Sequence, residues 1–234
     1  ATGFSGVTLL VPSDDHQKAI GVANCYTSTT MPLSVLHGPE WPGKGMLWHM
    51  AQKMRADEWC RDADFVLHLD SDCMFTEPVT PDDYFENGKP VLMHASFDWL
   101  INTQQANLSM WKEAAERALG WEVTQETMRR HPAVHYASLY GETRHWIEKH
   151  TGMPMDDFVR AGRNEFPQET CEFVTLGAVA WKRLPTEYAW RNQETQGFPP
   201  SKLVQFWSHQ SPTIPQAPVY KDKPFPCTPD YFLK

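Results

Sequence analysis

Apolar and polar positions fall along this chain in short blocks, each with its own period. Val7 to Val11 is an apolar run stopped by Pro12 and the polar turn Ser13-Asp14-Asp15, the pattern of a buried strand ending in a loop. Ala19 to Tyr26 and Leu33 to Leu36 are two further short strand candidates. From Lys44 to Trp59, Leu47, Met50 and Met54 recur at the spacing that keeps one helix face apolar, which predicts a helix entered through Pro42-Gly43. Asp64 to Leu69 is then a strongly apolar strand running straight into Asp70-Ser71-Asp72.

Phe75 to Pro90 is rich in turn residues, and Val91 to Ala95 is another strand candidate. Leu108 to Leu119 and Arg144 to His150 carry helical patterns ended by Gly120 and Gly152. Phe173 to Trp181 is apolar with small Gly177 and Ala178, and its period does not separate a strand from a buried helix start. From Thr186 onward proline and aromatic residues dominate, as in a tail wrapped over a domain. With no repeat or linker, residues 1–234 are expected to form one α/β domain, a mixed and mostly parallel sheet flanked by helices, with a Pro/aromatic-rich segment from about 186 to 234.

Composition narrows the classes. A length of 234 residues with 41% hydrophobic and 21% charged content suits one globular domain. The net charge of −8 argues against polyanion binding, since non-specific nucleic-acid affinity comes from Lys and Arg displacing counterions. Five cysteines, odd in number and widely spaced, lack the paired spacing of a zinc site; reduced thiols in a cytoplasmic protein are the expectation. No apolar run reaches the ~20 residues of a membrane span, and no signal peptide is visible in Ala1 to Gly6.

The acidic pair carries the most chemistry. Two carboxylates one residue apart on a turn after a strand need a counter-cation to stay ionised together. Hard oxygens suit Mg²⁺ or Mn²⁺, whose open positions a substrate diphosphate can fill. The blander reading is a solvated turn, because Asp and Ser are ordinary turn residues. The flanking Phe65-Val66-Leu67-His68-Leu69 and Cys73-Met74-Phe75 favour the metal.

Asp64 to Asp72, in the order helix, strand, acidic turn, then Gly88-Lys89-Pro90-Val91-Leu92 and Glu172-Phe173 leading into Leu176-Gly177-Ala178, resembles the Asp-x-Asp segment of GT-A glycosyltransferases, in particular poorly characterised bacterial and phage members. The likeness spans roughly Val7 to Trp181. It implies a Rossmann-like GT-A fold, a Mn²⁺ or Mg²⁺ cofactor, and a nucleotide-sugar donor, most simply a UDP-sugar. It also implies direct metal ligation by Asp72, with Asp70 contacting the ribose, or the metal through water, and His209 in Phe206-Trp207-Ser208-His209-Gln210 as a late metal ligand. Pro12, Ser13 and Asp14 match the loop that holds base and ribose, with helix capping by Ser13 or Asp14 as the alternative. Ser71 and Asp98 join the expected donor contacts, and packing of Trp99 is the plainer reading beside Asp98.

An inverting transfer needs a carboxylate base for the acceptor hydroxyl, and Glu172, just before an apolar segment, is the candidate, with Glu169 in reserve. Arg129-Arg130-His131 reads as a solvated face, and Met46, Met50 and Met54 as core. Among acceptors, a glycan or small hydroxylated molecule suits the acidic balance best; a hydroxymethylated base in phage DNA, which the charge disfavours, and a protein are the alternatives. Two rivals stand beside this reading. A haloacid-dehalogenase-type phosphatase also uses Asp-x-Asp after a strand, but expects Thr or Val where this chain has Met74. A sugar-binding module would use the ten tryptophans without chemistry.

Overall fold

A computed structural model describes residues 3–24, 31–41, 45–103, 109–129, 132–162 and 170–205. Strand β1 is Val7–Val11, and the polar turn after it winds through a 3-10 turn at Ser13–Asp15 into helix α1, His16–Ala23. The strand expected from Ala19 is therefore a helix. Ala19, Ile20 and Ala23 share one helical face, a pattern that a short apolar run does not separate from a strand; Tyr26 lies outside the described residues. Helix α1 returns the chain so that β2, Leu33–His37, pairs parallel to β1, from Val7 opposite Leu33 to Val11 opposite His37. Both strands end on one side, at Pro12 and Gly38.

The helix expected over Lys44 to Trp59 divides into α2, Met46–Lys53, and α3, Ala56–Trp59. The break falls at Arg55, whose guanidinium turns to Asp156 (2.6 and 3.0 Å) and Glu58 (2.7 Å). Its amide accordingly closes a tight turn on the Gln52 carbonyl at 3.1 Å. Leu47, Met50 and Met54 are buried as their spacing predicts, whereas Met46 is 49% exposed and is not core.

Strand β3, Phe65–His68, leads to the acidic turn, and β4, Cys73–Phe75, leaves it. Strands β5, Phe85–Glu86, and β6, Lys89–Ser96, form a hairpin on Asn87-Gly88, both with positive φ, as a two-residue turn between twisted strands demands. Helices α4, Phe97–Thr103, and α5, Ser109–Leu119, then precede β7, Gln125–Glu126, and β8, Ala133–Tyr136. Helix α6, Ala137–Thr151, is longer at its start than the expected Arg144 to His150 and stops on left-handed Gly152. Helices α7, Met155–Ala161, and α8, Glu172–Arg183, follow. Strand β9, Ala189–Asn192, helix α9, Gln193–Gln196, and β10, Leu203–Gln205, complete the order.

The fold is mixed α/β with small sheets. Among the described residues β1 with β2 and β6 with β9 are parallel, while β3 with β8, β4 with β10, β5 with β6 and β6 with β7 are antiparallel. The expectation of a mostly parallel sheet is thus corrected. Side-chain alternation is the same in both directions, so strand sense is set by the connections and not by the strand's own pattern. Strand β9 also shows that the segment after Thr186 is no simple tail, since its first part lies in the sheet beside β6.

The core lies between the strands and α2, α5, α6 and α8. Helix α8 is buried from Glu172 to Ala180, which explains why its sequence lacks a polar face. At Gly177 it meets Thr127 so closely that a Cβ would overlap the threonine side chain. No helix among the described residues is long and apolar enough to cross a membrane.

Candidate active site at the end of β3

Asp70 and Cys73 close the acidic turn, the Cys73 amide donating to the Asp70 carbonyl at 3.0 Å. Ser71 is exposed at the tip, and Asp70 and Asp72 are half-buried on either side. Asp72 accepts from Gln205 Nε2 at 3.2 and 3.5 Å, because β10 lies antiparallel to β4 with Gln205 opposite Cys73. The Cys73 thiol stands 3.8 Å from the same carboxylate. Burial, with the charges of Asp70 and Asp72 adding to it, pushes that thiol up to about 11, so it stays protonated at neutral pH.

On the other side of the turn the structure brings together two residues far apart in sequence. Lys53, the last residue of α2, puts Nζ 2.7 Å from Asp70 Oδ1 and 2.9 Å from Glu172 Oε1. The same ammonium lies 4.6 Å from the centre of the Phe173 ring. Burial opposes the charge, but Glu172 and Asp70 together outweigh it and hold Lys53 above its usual pKa. Glu172 is only 4% exposed at the first position of α8, where the helix N-terminus also favours an anion. Taking away the lysine alone would leave a buried carboxylate unpaired, a loss of about 3–5 kcal/mol in comparable cases.

A cleft of about 310 Å³ opens beside this cluster, lined by Pro12, Ser13 and Asp14 after β1, Pro39, Glu40 and Trp41 after β2, and Gly45, Trp48 and His49 at the start of α2. Parallel pairing of β1 and β2 places both loops at one sheet edge, where α/β proteins bind ligands. Gly45 begins α2 at φ 139°, a conformation open to glycine and strained for other residues. His49 joins the cleft to the carboxylates. Desolvation and then the Lys53 ammonium lower its pKa, against the pull of Asp70 and Glu172, so its imidazole is neutral at pH 7. Pro12 stands at the N-cap of the turn that carries Ser13 and Asp14, with no side-chain cap of its own.

Asp70, Asp72 and Ser71 thus share one turn with Glu172 beside it through Lys53, and Pro12, Ser13 and Asp14 line the adjoining cleft. Asp98 does not join them. It is exposed in the first turn of α4, and no contact among the described residues links it to the acidic turn. His209, Glu169, Arg130 and His131 lie outside the described residues. Arg129 does not sit on a solvated face: its guanidinium pairs with fully buried Glu126.

Donor chemistry bears on the expected metal. The turn offers hard carboxylate oxygens, which suit Mg²⁺ or Mn²⁺, but among the described residues no group of three or more His, Cys, Asp or Glu side chains stands ready to hold an ion. Such an ion would therefore draw most of its shell from a diphosphate and water, and Asp72 is the carboxylate of the pair not engaged by Lys53.

Lys53 and Gln205 are the residues that sequence reading passed over. Lys53 carried a signal: it lies between Met50 and Met54, at the border of the apolar face, where a charge is buried only with a partner. Gln205 carried none, since its place depends on the pairing of β10 with β4. No protein-family model and no curated protein sequence matches this chain.

Proposed function

We propose that this protein is a metal-dependent glycosyltransferase of GT-A type, moving a sugar from a nucleotide diphosphate to a hydroxyl acceptor. The observation that carries the reading is that His49 lines the cleft of Pro12, Ser13 and Asp14 and also feels the charges of Asp70 and Glu172, which Lys53 ties together at the Asp70-Ser71-Asp72 turn. Within it the cleft takes the nucleoside. Trp41 and Trp48 present apolar ring surface to the base, while Ser13 and Asp14 offer acceptors to ribose hydroxyls. The diphosphate then lies toward the acidic turn, past His49, whose neutral ring can donate a hydrogen bond without adding charge. A Mn²⁺ or Mg²⁺ ion held by Asp72 would screen the charge that grows on the departing diphosphate. Glu172 accepts the acceptor hydroxyl's proton if the transfer inverts configuration, and Lys53 holds its carboxylate in place.

A phosphatase reading has one observation in its favour, the Lys53 ammonium at 2.7 Å from the first aspartate of the pair, which would keep a carboxylate nucleophile ionised. The methionine at Met74, where that family expects Thr or Val, stands against it. Incubation with a panel of nucleotide-sugars and Mn²⁺, following nucleotide diphosphate release, tests the choice. Release that disappears in Asp72→Ala, with the circular-dichroism spectrum unchanged, is the expected result. Survival of turnover in that variant, or phosphate release from p-nitrophenyl phosphate in its place, would overturn it.

A further inference from the structure

Lys53 sits where the charge argument for a metal is strongest. Asp70 and Glu172 come from the end of β3 and the start of α8, and each needs a cation to remain ionised beside the other. The ammonium meets both within 3 Å, and its side chain is 22% exposed, so water screens it little. Phe173 supplies a ring face with its centre 4.6 Å from the ammonium, a third contact beside the two carboxylates. A divalent ion approaching Asp70 Oδ1 therefore meets a resident positive charge 2.7 Å from the oxygen it needs.

We infer that Lys53 is a positioning residue that reserves Asp70 and Glu172 for itself, so that a divalent ion binds the turn through Asp72 and not through both aspartates. The inference rests on the metal-dependent reading proposed above and refines it. The acidic turn has divided labour. Asp72, tethered by Gln205, would hold the metal, and Asp70 anchors the lysine that orients Glu172. Removing the ammonium adds a net negative charge beside the turn and releases Asp70 Oδ1 to compete for the ion.

Titration of the 234-residue protein with Mn²⁺ alone, with free Mn²⁺ read by electron paramagnetic resonance, tests this without any turnover. Lys53→Met is expected to bind Mn²⁺ at least roughly tenfold tighter than wild type. Because that variant leaves Glu172 without its partner, Lys53→Met/Glu172→Gln is measured alongside, with thermal melts of both. It is expected to retain the gain, and it carries the test should the single variant not fold. Lys53→Met/Asp70→Asn is expected to lose the gain. Affinity in the first two variants no higher than wild type overturns the inference, as does a gain that persists without the Asp70 carboxylate. Tight binding in Lys53→Met with none in wild type, even with uridine diphosphate added, supports the role of the lysine and sinks the metal-dependent transferase. The two readings therefore fail separately.

Discussion

Gly177→Ala sets two effects of opposite sign against each other. In an exposed helix the change would stabilise by about 1 kcal/mol, because alanine loses less backbone entropy than glycine. In α8 the new Cβ would overlap Thr127 Oγ1 and stand 2.5 Å from Thr127 Cβ and 2.7 Å from its Cγ2. Thr127 is 3% exposed and donates from Oγ1 to the Phe173 carbonyl at 3.0 Å, so it has little room to retreat without losing that bond. Overpacking of this kind costs about 1–3 kcal/mol, and a lost buried hydrogen bond about 1 kcal/mol more. The balance is a net destabilisation of about 1–3 kcal/mol, which for a protein of this size lowers Tm by about 2–4 °C per kcal/mol. Guanidinium denaturation of wild type, Gly177→Ala, Thr127→Ala and the double variant measures it. In the Thr127→Ala background two of the three close contacts are gone, so Gly177→Ala should cost at least about 0.5 kcal/mol less there. A Gly177→Ala protein as stable as wild type would refute the packing argument and leave helix propensity the larger effect. Because Glu172 and Phe173 begin the same helix, the variant is also expected to loosen the Lys53 cluster.

Two buried groups should give stability opposite slopes with pH. Burial raises Glu126 from 4.5 to about 7 against the Arg129 guanidinium, so the folded state keeps a proton that the unfolded chain has lost between those values. Its contribution is full below about pH 4.5 and is lost as pH rises through 7, a change of up to about 3 kcal/mol that Glu126→Gln should remove from denaturant midpoints at pH 5 and 7.5. His135 is lowered from 6.5 to about 3 by burial, so its contribution is full above about 6.5 and is lost as pH falls toward 3. His135→Leu should flatten the acid side of the stability profile, and a variant that unfolds in acid along the wild-type curve would show that another group is responsible.

Strand edges, helix faces and the acidic turn were legible because they depend on neighbours in sequence. Val7–Val11, the buried Met50 and Met54, and the turn after β3 all follow from local period and turn chemistry. Short apolar runs were ambiguous for the same reason. Ala19 to Ala23 and Phe173 to Trp181 are both helical, the second buried as far as Ala180, and neither carries a period that settles it. Glu172 was legible as a carboxylate at the edge of an apolar segment and Lys53 as a charge at the border of an apolar face, but their pairing was not, because they lie 119 positions apart and meet only when α2 and α8 close on the end of β3.

By itself, then, the sequence determined the polar groups available for chemistry and the apolar blocks that carry them, since both are properties of residues and their near neighbours. The tertiary structure alone decided strand direction, the seat of Gln205 on Asp72, and the capture of Asp70 and Glu172 by one ammonium. Such pairings join elements distant along the chain, and their energies arise only when burial brings the charges within about 3 Å and excludes the water that would otherwise screen them.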